Sequence, residues 1–503
     1  MSRRARHGAD GRLNPAALDP GKPIPLYFQL KTLLLEAIIS GRFGPSDRLP
    51  TEHELCAQLG ISRTPVNRAL SELAEEGVIV RWRRRGTFVN PHWLPSHGER
   101  PEVRVLVPEG AWERQVREAA ADDIRTSVVT VPLPELHHAI TRAVAEGRGP
   151  DLVVLDSVWV HELSSASFLR PLDELDPGWV AEEYDRDFLE PFVSANRRDG
   201  RAVAVQAEAD VAGLWYSREV LAALDIAPPG TWEELLAAGR ALRGAQDAPQ
   251  HPLALPGGSR GGETTTYCLL ALLASNRASV LGADGVTLDA AAAVEAVAFL
   301  HRLVAEGIAS AEVVAYEWDR PIRLLADGHA ALALSGSYEA PHLAARARLS
   351  MADLWSHFGF ARMPRGPRGT GATLAGGMAF GILRQAVQPD LAMRLLRRLT
   401  SAEACARMSR ATAQIPPRRS AVDLVAAESP FLAATASMLA SAAVRPSIPA
   451  YPRVSAQLQA MLEGALTGRL APAAAVARAA EMIGAVTGVE LAARTPRGSP
   501  GRR

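Results

Sequence analysis

The stretch RLPTEHELCAQLGISRTPVNRALSELAEEGVIVRWRRRGTFV, Arg48 to Val89, constrains the fold more than any other part of the chain. Glycines at 60, 77 and 86 cut it into short pieces, so no helix in it can be long. Thr51 and Glu54 have the spacing of a capping box, followed by apolar Leu55 and Leu59. Ser62 is placed to cap the next helix, which runs to Glu76 and stops at Gly77. On that helix Val66, Ala69, Leu70 and Leu73 form one face, while Arg63, Thr64, Asn67, Arg68 and Ser71 lie away from it. VIVRW, then RRRG, then TFV reads as a β-hairpin. Upstream, LYFQLKTLLLEAIISGRF carries apolar residues at 30, 33, 34, 37 and 38, the spacing of a one-sided helix that stops at Gly41.

Two helices joined by a tight turn, the second with a polar leading edge and then a hairpin, follow helix-turn-helix logic with a wing. The leading residues of such a helix reach base edges in the major groove: Arg63 or Arg68 can pair with guanine, and Asn67 with adenine. Arg48 and the wing arginines Arg83, Arg84 and Arg85 can neutralise phosphates. The 55 basic and 55 acidic residues cancel, so attraction to DNA has to be local. Lysine occurs only at Lys22 and Lys31, so the placement of an arginine carries more information than its identity.

This segment resembles the winged-helix domain of GntR-type bacterial transcription regulators over about residues 23–90. The matching text is PLYFQL, RLPTEHELCAQLGISRTPVNRALSELAEEGVI and GTFV. The resemblance implies an α+β winged helix-turn-helix acting as a homodimer on a pseudo-palindromic double-stranded operator. It carries DNA contacts over to Arg48, Ser62, Arg63, Thr64 and Arg68, with Gly86 at the wing tip. Asn67 stands where that family often has arginine, which puts the usual base preference at that position in doubt.

A chain of 503 residues is too long for one core, and the remainder reads differently. Residues 1–22 have the composition of a disordered arm, 91–102 of a linker, and 490–503 of a disordered tail. Between 103 and 489, short apolar strands (VRVLVP, DLVVLD, AVAVQ, ALALSG) alternate with alanine-rich helices, which is α/β patterning. Gln206, Glu208 and Asp210 alternate, so a single strand would show all three on one face. That face is either a ligand or hinge surface or a solvent-facing edge. Asp156 and Trp159 follow the apolar run LVVL, at the strand end where α/β sheets bind ligands. Glu263 opens an apolar helix, where the helix dipole alone would favour a carboxylate.

From about Val103 to Val489 the chain resembles the extracellular solute-binding proteins of sugar ABC transporters, the maltose-type group. The match lies in the order of PDLVVLDSVWVHELSSASFLRPLDEL, AVAVQAEADVAGLWYSREVL, GGETTTYCLLALL, RLLADGHAALALSGSY, LAGGMAFGI and RPSIPAYPRVSAQLQAML. The resemblance implies a two-lobed α/β periplasmic-binding-protein-like (type 2) fold that closes on ligand in a cleft. Lobe 1 is then about 103–210 and 375–420, lobe 2 about 213–372 and 425–489. It implies ligand contacts at Asp156, Trp159, Glu263, Tyr338, Arg445 and Tyr451, beside Gln206, Glu208 and Asp210. Gly376 and Gly377 would let backbone approach the ligand. Trp318 and Trp355 are expected in packing, and His137–His138 at the surface.

Cys56, Cys268 and Cys405 lack metal-ligand spacing, and no cofactor or metal site is expected. No nucleophile elbow or phosphate loop supports an enzyme. MSRRARHGADGRLNPAALDPGK has no apolar core for a secretory signal, and no apolar run is long enough to span a membrane, so a cytoplasmic protein is expected. The combined expectation is a one-component transcription regulator whose solute-binding part senses a sugar or other small polar ligand. The alternative is a cytosolic solute-binding protein with a non-functional DNA-binding domain.

Overall fold

The computed structural model describes residues 25–39, 42–82, 85–91, 102–282, 285–288, 290–369 and 371–492, with Leu18 and Trp93. The rest of the arm 1–22, the wing residues Arg83 and Arg84, most of the linker and the tail from 493 lie outside the described residues.

The N-terminal head contains α1 (Leu26–Ile39), α2 (Glu52–Leu59), α3 (Arg63–Glu75) and a hairpin of β1 (Ile79–Trp82) with β2 (Gly86–Val89). The Thr51–Glu54 capping box is present, and Gly60 ends α2 in the left-handed region. Val66, Ala69, Leu70 and Leu73 are buried as the periodicity requires. Leu18, from the expected arm, is buried in this same core. Ser62 occupies the N-cap position of α3, but its side chain makes no capping bond.

Helix α1 departs from the one-sided expectation. Leu30, Leu34, Ala37 and Ile38 are buried, but so are Lys31, Thr32 and Leu35, while Leu33 is only half-buried. The reason is that α1 packs on two partners, α3 and the helix Leu136–Ala145. Toward α3, the Lys31 ammonium pairs with Glu72 (3.3 Å) and Glu76. Burial holds the Glu76 carboxyl above the usual range in spite of that pairing. Toward the Leu136–Ala145 helix, Leu35 lies against Gly147, where an added Cβ would come within 2.8 Å of it. Gly147 also has φ 65, so glycine serves both the helix end and the close approach. Phe28 meets Phe168 at a ring separation of 5.8 Å, and Glu36 lies 3.6 Å from Arg384.

The chain forms two compact units. Unit 1 comprises the head with residues up to 186, 196–207 and 378–404. Its sheet runs in the order Arg125–Val131, Glu102–Pro108, Leu152–Asp156, Met378–Ile382, Val205–Gln206. The first three strands are parallel and the last two pair antiparallel. Unit 2 comprises 187–195, 208–377 and 405–503. Its sheet centres on Asp210–Ser217, which pairs with Ala330–Gly336, Phe358–Arg362 and Thr373–Gly376. Trp215 lies in its core against Trp355 and Phe431, which confirms a packing role for Trp355.

Several boundaries differ from the sequence expectation: 208–210 and 375–377, expected in lobe 1, lie in unit 2. Residues 405–420, expected in lobe 1, belong to unit 2, where Ala406 and Ala413 enter the Trp215 core and Ile415 pairs with Ala209. The stretch 187–195 does the same, with Phe192 in a core cluster beside Ile415. Glu490 and Ala492, expected in the tail, exchange backbone hydrogen bonds with Val286. AVAVQ gives two-residue strands at 201–202 and 205–206 rather than one long strand. Among the described residues no helix is long and apolar enough to cross a membrane.

Candidate functional site

On the head, Arg48, Ser62, Arg63, Thr64, Asn67, Arg68 and Arg85 are all exposed, as a DNA-reading face requires. Arg48 lies across the backbone at Gly86, so the two resemblance-derived positions adjoin. The Arg85 guanidinium sits 5.2 Å from the Trp82 ring, and Trp82 itself is 51% exposed. Arg68 is partly committed: it lies 3.6 Å over the Tyr27 ring and donates to Glu72 at 3.1 Å. Glu52 joins this face by accepting from Arg63 and Asn67, Ser71 by donating to Asn67, and Arg81 by donating to Ser71 and Glu52. Tyr27 and Glu52 lie in the first turns of α1 and α2, and their interactions with α3 are long-range contacts that helix periodicity does not report.

In unit 1, the Asp156 side chain accepts from the Val158 amide (3.1 Å), so it caps the turn that carries Trp159. Trp159 is half-buried, and His137 meets its ring edge-on at 5.0 Å. His137 also bonds Glu162 at 3.0 Å, so it belongs to this loop rather than to open surface; only His138 is fully exposed. Gln206 is fully buried and accepts from Asn196 at 3.2 Å.

The expectation that Gln206, Glu208 and Asp210 share one strand face is not met. After Gln206 the chain leaves the first sheet: the Ala207 amide bonds Met378, Ala209 exchanges bonds with Ile415, and Asp210 starts the second sheet beside Gly376. Glu208 and Asp210 lie in unit 2, Gln206 in unit 1. Burial, with the Asp210 charge nearby, pushes the Glu208 carboxyl up to about 8. Between about 4.5 and 8 the folded chain therefore holds a proton there that the unfolded chain releases, and stability falls as pH rises through that window. Glu208→Gln should remove that decline. In thermal melts the wild-type midpoint, taken relative to the variant, drops from pH 5 to pH 8; parallel curves would contradict the assignment.

Unit 2 gathers Asp210, Glu263, Tyr338, Gly376, Arg445 and Tyr451 around a residue the sequence reading passed over, Tyr267. Tyr267 donates its hydroxyl to Asp210, and the Arg445 guanidinium lies 4.6 Å over its ring. The Glu263 carboxylate pairs with Arg445 (2.8 Å) and accepts from Tyr451 (2.5 Å) and Ser455 (2.7 Å). Tyr338 shares a hydrogen bond with Thr264 (3.2 Å). A Cβ at Gly376 would come within 2.6 Å of Arg445 and 3.0 Å of Asp210, so only glycine lets both close over that strand. Gly377 follows with φ 128. Glu263 and Tyr267 are four residues apart on one helix, a spacing that could have flagged the tyrosine. Carboxylates, a guanidinium and phenol hydroxyls close together match the donors and acceptors of a polyhydroxyl ligand. Trp318 stands apart from this cluster, 38% exposed beside His342.

Residues 108–405 match the family model of the bacterial extracellular solute-binding protein. The chain belongs to that family. Residues 26–89 match the gntR family of bacterial regulatory proteins, so this solute-binding protein carries a GntR winged helix-turn-helix in front of a two-lobed mixed α/β domain. The histidine utilization repressor of Klebsiella aerogenes is 51% identical over 120 residues, 22% of this chain and 48% of the repressor. The arabinose metabolism transcriptional repressor of Geobacillus stearothermophilus is 45% identical over 69 residues, 14% of this chain and 19% of that protein. The chain thus spans less than half the length of these curated relatives. Among solved structures, a solute-binding protein of Thermotoga lettingae bound with α-D-tagatose superposes with a TM-score of 0.69 at 20% identity, covering 77% of this chain and 100% of that one. The cyclic α-maltosyl-1,6-maltose binding protein of Arthrobacter globiformis gives 0.64 at 22% identity, covering 77% and 99%. At these identities the likeness establishes the fold.

Proposed function

We propose that this chain is a one-component transcription regulator in which the solute-binding part senses a sugar or oligosaccharide and thereby changes operator affinity. The observation that carries the reading is the seating of α1. The head packs into the same compact unit as the first solute-binding sheet through Leu35, Phe28–Phe168 and Glu36–Arg384. A DNA-reading head joined only by a loose tether would receive no conformational signal; one seated this way can. Ligand then shifts DNA affinity by its differential binding to the two states, typically ~1–3 kcal/mol.

In this reading Arg63, Thr64, Asn67 and Arg68 face bases and Arg48, Ser62, Arg83, Arg84, Arg85 and Gly86 face the backbone of an operator bound by a homodimer in the cytoplasm. The ligand sits on the unit 2 constellation of Asp210, Glu263, Tyr338, Gly376, Arg445 and Tyr451, with Tyr267 added. The chain works by binding, not by catalysis. The sugar-bound relatives support the ligand class. A thermal-shift panel of mono- and oligosaccharides on the full chain tests it. At 100 times its Kd a true ligand adds about 2.7 kcal/mol, a clear rise in melting temperature. A flat panel would reject the sugar assignment.

A further inference from the structure

The GntR head carries an acid in the middle of its DNA-reading face. Glu52, in the first turn of α2, accepts from Arg63 Nε (2.9 Å) and Asn67 Nδ2 (3.3 Å) and takes a short bond from Arg81 of the wing. Arg81 also donates to Ser71 (3.3 Å), and Ser71 to Asn67 (3.3 Å), which closes a ring across α2, α3 and β1. The Glu52 side chain is 16% exposed, while that of Arg63 is 79% exposed. The acid therefore lies behind the cations, not beside them.

Resting on the DNA-binding reading, we propose that Glu52 sets sequence discrimination: it holds Arg63 by Nε and offsets one positive charge of the face. An arginine held by Nε keeps both Nη groups directed outward. Those are the groups that pair with O6 and N7 of guanine. A phosphate can take the same pair of Nη donors, but it is an anion and is repelled by the Glu52 charge close behind, whereas the neutral guanine edge is not. The carboxylate is ionised for this task, because the Arg63 hydrogen bond holds it below the usual carboxylate range. Glu52 is thus a positioning residue that lowers non-specific affinity more than specific affinity.

The test uses the full chain and a library of duplexes with a randomised centre, read by sequencing the bound fraction, with salt titrations on an unselected duplex. Glu52→Gln keeps the side-chain shape and removes the charge. Its log K against log salt should steepen by about 0.9 per head, and affinity for unselected DNA should rise about 5-fold at 0.15 M salt. The enriched motif should lose information at one base pair. In an Arg81→Gln background the same change should still relax that base pair, because Arg63 still depends on Glu52. Melting temperatures read alongside show whether the variants are folded; Glu52→Asp replaces Glu52→Gln if it is not, and should show relaxed discrimination with the salt slope unchanged. If wild type enriches a motif and the folded Glu52 variant gives the same motif with the same salt slope, this proposal is overturned while DNA binding stands. If wild type binds no duplex at low salt, both fall.

Discussion

Arg63→Ala should collapse the preference for selected over random DNA by about 10- to 100-fold, because a bidentate arginine–guanine pair is worth about 1–3 kcal/mol. The structure places Arg63 at the exposed start of α3 with its Nε already held by Glu52. Its loss removes base reading without disturbing the buried face of Val66, Ala69, Leu70 and Leu73. Arg85→Ala should behave differently. Arg85 lies on the wing beside Trp82. Its replacement should weaken binding to all duplexes alike and flatten the salt dependence by about 0.9. Anisotropy titrations on a selected and a scrambled duplex at several salt concentrations separate the two. Equal loss on both duplexes for Arg63→Ala would refute the division of labour.

The second large effect concerns coupling. Phe28→Ala with Glu36→Arg removes the ring contact to Phe168 and sets a like charge beside Arg384, 3.6 Å from the present carboxylate. Neither residue lies on the exposed face of α3, so DNA affinity without ligand should stay within about 3-fold of wild type. The loss of docking, about 1–2 kcal/mol, should separate the head from the first sheet. A ligand effect on DNA affinity of about 5- to 150-fold in wild type should then shrink to about 2-fold or less. Ligand binding itself, read by thermal shift, should persist. A double variant that still responds to ligand in full would mean that the signal does not pass through α1.

The head was legible in the sequence because its signals are local. A capping box, glycines at two helix ends and a four-residue apolar face each act within one or two turns of chain. The second partner of α1 was not legible: nothing within LYFQLKTLLLEAII says that Leu35 and Lys31 will be covered by residues more than forty positions away. The Gln206–Asp210 stretch misled for a related reason. Alternation predicts a shared face only while the strand stays in one sheet, and this chain changes sheets at Ala207 and Ala209. In unit 2 the solute-binding resemblance singled out Glu263, Arg445 and Tyr451, and alternation with Gln206 and Glu208 singled out Asp210. Their convergence on Tyr267 was not, since it depends on Gly376 leaving room for Arg445 and Asp210 above one strand.

In the proposed mechanism one chain couples ligand capture to DNA binding. The direct measurement is anisotropy of a labelled duplex, taken from the motif the wild-type chain selects, at fixed salt with and without the sugar that raises its melting temperature. The binding midpoint should shift by at least about 5-fold, in either direction. Superimposable curves at a sugar concentration that saturates the thermal shift would contradict it.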